Sequence, residues 1–124
     1  MSTEQKIELI KKEELKYKAS YFKDANFRLV QISATALTDK YELTYCFEKE
    51  YIMEIIRVTL DMNDNAVSSI SEVFFPACLY ENEIHDLFGI NFPGLVIDFK
   101  GNFYQTAVKT PYSIIRKEAS GAKE

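Results

Sequence analysis

Residues 41–47 read YELTYCF, and their pattern sets the class of fold. Large apolar side chains occupy every second position, while the positions between them carry mostly polar ones. Successive side chains of a strand point to opposite faces, so this alternation is typical of a strand with one face against a core. The apolar set is Tyr41, Leu43, Tyr45 and Phe47, and the intervening set is Glu42, Thr44, Cys46 and Glu48.

The segments on either side extend this strand into a sheet. Residues 27–37 and 52–60 are rich in β-branched and apolar side chains, and the breaks at residues 38–40 and 48–50 are short and polar. Short polar breaks between strand-like runs favour hairpins, so we expect three antiparallel strands joined as a meander. A longer turn is predicted at residues 61–65.

Helical patterns flank the predicted meander. At the N-terminus, Thr3 is a candidate N-cap for a helix running to about Ser20, with interleaved Lys and Glu and only a narrow apolar stripe. A second helix is predicted from Pro76 to Phe88, because proline suits a first helical turn. Gly89 follows where a left-handed residue ends a helix, and Ile90 can fold back onto the last turn.

The second helix has an uneven distribution of polar side chains. Its predicted buried stripe is Tyr80, Ile84, Leu87 and Phe88, which fall at helical spacing. The charged and polar side chains are expected outside that stripe; they are Glu81, Asn82, Glu83, His85 and Asp86.

These elements predict one domain of the α+β class over residues 1–115. We expect an antiparallel or mixed sheet of about four to five strands with helices on one face. Residues 95–99 are a further strand candidate, residues 100–102 a turn, and residues 116–124 a disordered C-terminal tail.

Composition excludes several classes of protein. The 124 residues are 47% hydrophobic and 27% charged, which suits one globular domain, and no apolar run approaches the roughly 18 residues that span a bilayer. The N-terminus lacks the apolar segment of a signal peptide, so a cytoplasmic location is expected. A net charge of −4 gives no nucleic-acid footprint.

The acidic residues are concentrated in one part of the chain. No Lys or Arg occurs between Arg57 and Lys100, whereas seven acids lie there. They form either a solvated acidic surface or a surface that meets a basic partner, since complementary fields steer association. Cys46 and Cys78 are too few and too distant for a cysteine-ligated cluster, and we expect reduced, buried thiols.

Residues 81–86 carry the densest set of titratable groups, including the single histidine. Glu81 and His85 are four residues apart on a helix and would supply two metal ligands, but a third would have to be another carboxylate. No nucleophile–base motif and no glycine-rich phosphate loop is present. A stand-alone metal-dependent enzyme built on Glu81 and His85 therefore stays a competing hypothesis.

Two adjoining stretches carry a family resemblance. Residues 69–77 read SISEVFFPA and residues 80–94 read YENEIHDLFGINFPG, and together they resemble the 30-kDa subunit family of respiratory complex I. Asn82 stands where that family usually has arginine, and Leu95 stands where it has histidine. The basic ending of the complex I subunits is also absent. These departures favour the equivalent small subunit of energy-converting, membrane-bound nickel–iron hydrogenases.

The resemblance implies a non-catalytic accessory subunit with no catalytic residue, no cofactor and no metal of its own. Such a subunit packs on the large hydrophilic-arm subunit of a hydrogenase or of complex I, meets the membrane only through the complex, and supports electron transfer coupled to ion translocation. The predicted partner contacts are Glu81, Glu83 and Asp86, with Gly89 shaping the bend and Ile90 and Phe92 anchoring the next loop. Two further hypotheses are a complex I subunit proper and a free-standing interaction module without a redox role.

Overall fold

The computed structural model describes residues 6–96, which form a four-stranded mixed sheet covered on one face by two helices. The predicted α+β class is confirmed. Strand order across the sheet is β1-β4-β3-β2. The elements are β1 (Lys6–Ile10), a 3-10 turn (Lys12–Glu14), α1 (Leu15–Asp24), β2 (Arg28–Ala36), β3 (Lys40–Lys49), β4 (Ile52–Asp61) and α2 (Ala77–Phe88).

The predicted meander is present as β2, β3 and β4. Both pairings are antiparallel, and the strand bounds lie within about two residues of the bounds that alternation predicts. Glu50 and Tyr51 join β3 to β4 as a two-residue turn, with φ of 50° and 72°. Positive φ at both central positions gives the backbone twist that matches two paired strands.

The N-terminal helix predicted from Thr3 to about Ser20 is wrong over residues 6–10 and correct over residues 15–20, while Thr3 lies outside the described residues. Residues 6–10 form β1, which pairs in parallel with β4 from Lys6↔Glu54 to Ile10↔Val58. The sequence carries the signal, because Ile7 and Leu9 alternate with charged neighbours and Ile10 packs against the core. Here pairing with β4 outweighs the helical preference of the Lys and Glu residues.

The first helix of the described chain begins instead at Leu15. Leu15, Ala19 and Phe22 lie at helical spacing and are buried. The Phe22 ring stacks on Phe47 of β3 with centroids 4.6 Å apart, and Phe47 in turn packs on Phe74 at 5.3 Å. This aromatic contact joins α1, the sheet and the segment before α2 into one core.

The core lies between the helices and a single face of the sheet. Leu43, Tyr45 and Phe47 of β3 are fully buried there, as the alternation predicts, beside Ile56 and Val58 of β4. Cross-strand partners Leu43↔Val58 and Tyr45↔Ile56 hold these side chains in register. Within residues 6–96 no helix covers the opposite face, which carries ion pairs such as Arg57–Glu42.

The second helix begins and ends close to its predicted bounds. Pro76 precedes Ala77, and Gly89 follows Phe88 with φ of 76°, so the predicted left-handed stop is confirmed. The Tyr80 hydroxyl donates to the Val30 carbonyl at 2.9 Å and fixes α2 against β2. The Phe88 ring meets Tyr41 at the other end of the helix.

The buried face of α2 differs from the predicted stripe. Ile84 is buried and Tyr80 and Phe88 are half-buried, but Leu87 is 59% exposed. Glu81 and Asn82, predicted outside the stripe, are buried. A second layer of chain accounts for Glu81, because residues 65–71 and 89–96 contact a second side of α2 through Ile70 and Ile90. The Asn82 amide donates to the Cys78 carbonyl within the helix.

Two irregular segments run side by side in that layer. The N–H groups of Val67 and Ser69 donate to the carbonyls of Asn91 and Pro93, and the Asn91 N–H donates back to Asn65. The Pro93–Gly94 turn is present as predicted. The sequence predicts a strand at residues 95–99, but Leu95 and Val96 are not in a strand. The rest of that prediction lies outside the described residues, as do the predicted turn at residues 100–102 and the predicted tail at residues 116–124.

Both cysteines are free thiols, as expected. Cys78 is buried in α2, while Cys46 on the uncovered face of β3 is only half-buried. Burial raises the pKa of the Cys46 thiol, and the nearby Arg57 acts in the opposite direction.

Candidate functional site

The Glu81 carboxylate is enclosed at the centre of the segment that carries the family resemblance. Its side chain is 0% exposed. Oε1 accepts the Ser69 hydroxyl at 2.6 Å, and Oε2 accepts the Ile70 N–H at 2.9 Å. Hydrogen bonds of this kind offset part of the free-energy cost of burying a carboxylate.

A chain of serine hydroxyls extends from this carboxylate. Because the Ser69 hydroxyl already donates its hydrogen bond to Glu81, the 2.7 Å contact between Ser69 and Ser71 has the Ser71 hydroxyl as donor. Ser69 Oγ also accepts the Ser71 N–H, and Ser71 Oγ accepts the Val96 N–H at 2.9 Å. One network therefore joins α2, the turn before it and the backbone at Val96.

Burial has the largest effect on the pKa of Glu81 in this network. It raises the pKa of Glu81 from 4.5 to about 7, although the hydrogen bonds from Ser69 and Ile70 act in the opposite direction. Burial also raises the pKa of Tyr45, and the Glu81 carboxylate adds to that rise. Tyr45 Oη is buried without a hydrogen-bond partner in the part of the chain that the structure describes.

The C-terminal end of α2 is closed by its own contacts. His85 Nδ1 lies 2.9 Å from the Ile90 carbonyl oxygen, so Nδ1 carries a proton, and the Asn65 amide donates to the Gly89 carbonyl at 2.9 Å. A Cβ on Gly89 would meet nothing within 4 Å, so its positive φ alone requires glycine. Ile90 and Phe92 are buried in the core, where they anchor this segment.

The side of α2 that points away from the domain is a distinct surface, the α2 outer face. Leu79, Glu83 and Leu87 lie on it one helical turn apart and are exposed. Asp86 borders them and is half-buried, and Phe75 extends the surface just before the helix. The α2 outer face is defined by Phe75, Leu79, Glu83, Asp86 and Leu87.

The acids after Arg57 are less uniform than their sequence suggests. Asp64 is paired with Lys12 at 2.9 Å and Glu72 with Lys16 at 3.1 Å, so lysines near α1 neutralise part of this stretch. Glu81 is enclosed. Glu83 makes no ion pair within residues 6–96, so the α2 outer face carries an acidic side chain without a paired lysine or arginine at that position.

Glu81 and His85 do not form a metal site with other side chains of residues 6–96. Both Glu81 oxygens are engaged within the domain, and His85 Nδ1 is engaged at Ile90. The described residues contain no group of three His, Cys, Asp or Glu side chains that could hold a metal ion. The arrangement around Glu81 and His85 therefore serves to hold chain segments together.

Sequence reasoning missed Ser69 and Ser71 as partners of Glu81. The two serines and the glutamate all lie in the stretches that carry the resemblance, but helical periodicity alone predicts Glu81 outside the core. The signal that would have found them is Ser-x-Ser shortly before a helical glutamate, since serine commonly hydrogen-bonds a nearby backbone or side-chain group in turns.

The family model of the 30-kDa subunit of respiratory-chain NADH dehydrogenase matches residues 9–101. The chain belongs to this family. The match covers three-quarters of the chain and includes Ser69, Ser71, Glu81 and the α2 outer face. Comparison with curated protein sequences gives no match. Membership supports a subunit of a respiratory complex as the role of the chain.

Two solved structures share the fold. The trypsin-resistant fragment of Nqo5, residues 1–134, is 18% identical with a TM-score of 0.66, and the match covers 75% of this chain and 82% of that chain. A chain of the membrane-bound sulfane sulfur reductase, an archaeal respiratory membrane complex, is 15% identical with a TM-score of 0.72, over 99% of this chain and 81% of that chain. In residues 6–96, neither helix is long and apolar enough to cross a membrane.

Proposed function

We propose that this chain is a non-catalytic accessory subunit of a membrane-associated, energy-converting nickel–iron hydrogenase. It docks on the large catalytic subunit of the hydrophilic arm, on the cytoplasmic side, and supports electron transfer coupled to ion translocation. Family membership supports a complex subunit. The observation that carries the docking proposal is the α2 outer face, which is acidic, partly apolar and without a paired cation at Glu83 within residues 6–96.

The predicted contact residues divide into two groups. Glu83 and Asp86 lie on the α2 outer face, and Gly89 follows the helix and is exposed, so these three are the proposed direct contacts. Glu81, Ile90 and Phe92 are buried. We assign them to shaping the docking segment, with Glu81 holding Ser69 and Ile70 against α2 and the two apolar residues holding the segment after Gly89.

Co-expression with the subunits encoded by neighbouring genes tests this function. The large subunit carries the affinity tag, and co-purification of this chain is measured. Glu83→Lys should lower the recovered amount, because a reversed charge faces the basic partner surface. Glu13→Lys is the matched control, since Glu13 is an exposed acid in the 3-10 turn between β1 and α1, at the sheet edge opposite β2, whereas α2 packs on β2. Equal recovery of wild type and Glu83→Lys would show that Glu83 is not a contact.

The second candidate is the 30-kDa subunit of an NADH:quinone oxidoreductase, which the description of the family favours. The same co-purification separates the two candidates when the tagged large subunit is taken either from a hydrogenase or from a complex I gene cluster. Recovery with the complex I subunit alone would favour the second candidate over the first.

A further inference from the structure

The α2 outer face combines three large apolar side chains with one central acid. Phe75 is 57% exposed, Leu79 54% and Leu87 59%. Leu79, Glu83 and Leu87 follow one another at a spacing of four residues, so they form a row along the helix axis. Contiguous exposed apolar side chains bordered by polar ones are typical of surfaces that bind another macromolecule.

The fold does not require apolar residues at these positions. Ile84, Tyr80 and Phe88 hold α2 on the sheet, and Glu81 and His85 bond the irregular segments on its other side. Leu79 and Leu87 belong to neither set of contacts, since they lie on the remaining, exposed side of the helix. Within residues 6–96 no segment covers these two leucines, so their apolar side chains can contact a partner.

The charges on this surface restrict the chemistry of that partner. Glu83 lies at the centre of the row and Asp86 at its border, and Glu83 makes no ion pair within residues 6–96. A partner that buries Leu79 and Leu87 must also enclose Glu83, and an enclosed carboxylate is stabilised only by a cation or hydrogen-bond donors. An anionic lipid surface would be repelled by the Glu83 carboxylate.

A second copy of this chain is also a poor occupant. A symmetric dimer uses the same patch on both copies, and a two-fold axis through the centre of the row would place Glu83 against Glu83. Like charges in such close contact oppose association. The chemistry of the surface therefore favours a different protein.

We propose that the α2 outer face binds an apolar protein surface that presents a lysine or arginine to Glu83, and that Phe75, Leu79 and Leu87 carry most of the affinity. This inference rests on the proposed function, because the partner surface is assigned to the large subunit. The charge of Glu83 selects the partner, and the apolar side chains provide the affinity, as in interfaces where a few buried anchors contribute most of the binding energy.

Affinity measurements with the purified large subunit test the inference. Leu79→Ser and Leu87→Ser should each raise the dissociation constant at least about tenfold, as expected for anchors at the centre of an interface. Glu83→Gln should raise the dissociation constant by a smaller factor, and mainly at low salt, because dissolved ions screen the attraction between interfacial charges. Leu9→Ser is the matched control, since Leu9 is an exposed leucine on β1, far along the sheet from α2.

All variants change exposed side chains, so circular dichroism and thermal unfolding should match wild type. Wild-type affinity in Leu79→Ser and Leu87→Ser would overturn the inference while leaving the proposed function intact. If wild type binds a different subunit of the complex and the leucine variants do not, the inference holds and the choice of the large subunit is wrong. Concentration-dependent dimerisation, or binding to anionic vesicles, that the same variants abolish would overturn the inference in favour of those occupants.

Discussion

Glu81 is a carboxylate enclosed by its own domain, with no lysine, arginine or histidine bonded to it among the described residues. A buried carboxylate without a cation is stabilised by donors alone, here a serine hydroxyl and a backbone N–H. Its charged form remains less favourable than in water, which is why burial raises the pKa to about 7. The protonation of one residue therefore changes the stability of the domain within the physiological pH range.

The sign of this effect follows from proton binding. Between the ordinary value of 4.5 and a pKa of about 7, the folded protein binds more protons at Glu81 than the unfolded chain does. The free energy of unfolding should therefore fall as pH rises through this window, by about 3 kcal/mol for this group. Glu81→Gln should lose that pH dependence, and urea unfolding between about pH 5 and about pH 8 measures it.

The control for this prediction is Glu83→Gln, which removes an exposed glutamate from the same helix and should keep the wild-type pH dependence. If Glu81→Gln and wild type lose the same free energy of unfolding over this range, the Glu81 carboxylate is not the source of the effect.

Tyr45 and Tyr80 allow a tyrosine hydroxyl without a hydrogen-bond partner to be compared with one that has a partner. Tyr45 Oη is buried without a partner within residues 6–96, whereas Tyr80 Oη donates to the Val30 carbonyl. Tyr45→Phe should leave the free energy of unfolding unchanged or raise it by about 1 kcal/mol, because it removes an unsatisfied hydroxyl. Tyr80→Phe should lower it by about 1 kcal/mol, because the carbonyl loses its donor. Urea unfolding of both variants compares them, and a larger loss for Tyr45→Phe would contradict the assignment.

Among the elements, α2 shows most clearly what the sequence predicts. Proline before the helix, glycine after it and the spacing of Tyr80, Ile84 and Phe88 place its ends within about one residue. The helix is buried on two sides, however, and periodicity describes only the side that carries apolar residues. Glu81 faces the second layer of chain, so its burial depends on contacts that no local pattern contains.

The end of α2 depends on one backbone conformation. Gly89 has a φ of 76°, and space around it is open, so Gly89→Ala should cost about 1 to 2 kcal/mol through backbone strain alone. Gly89→Asn should cost less, because asparagine tolerates the left-handed region better than alanine. Urea midpoints measure both changes. Equal midpoints for Gly89→Ala and wild type would show that the helix can end in another way.

The N-terminal strand β1, unlike α2, forms where the sequence predicts a different element. Lys and Glu interleaved with Ile7, Leu9 and Ile10 favour a charged helix, although strict alternation over residues 6–9 is also present. Charged residues are tolerated in this short edge strand because one of its long sides faces solvent. The deciding contact is the parallel pairing with β4, which lies far away in the sequence.

For the whole molecule, the class of fold and the position of the candidate site follow from patterns that lie within one element or one hairpin. The meander, the core residues of β3 and the bounds of α2 are local in this sense. The parallel strand, the enclosure of Glu81 and the exposure of Leu87 depend on contacts between distant segments. The contact role of the α2 outer face depends on a second protein and stays a proposal.

The strand order also has a kinetic consequence. The β3–β4 hairpin closes through two residues, and β2 pairs with β3 across a short turn, so these contacts need little loop closure. In contrast, α1, β2 and β3 lie between β1 and β4 in the sequence, so a pair such as Lys6↔Glu54 joins distant residues. Pairings between distant residues form against a larger loss of chain entropy. The meander should therefore assemble before β1 joins it, and backbone amides of β1 should be among the first to exchange with solvent hydrogen.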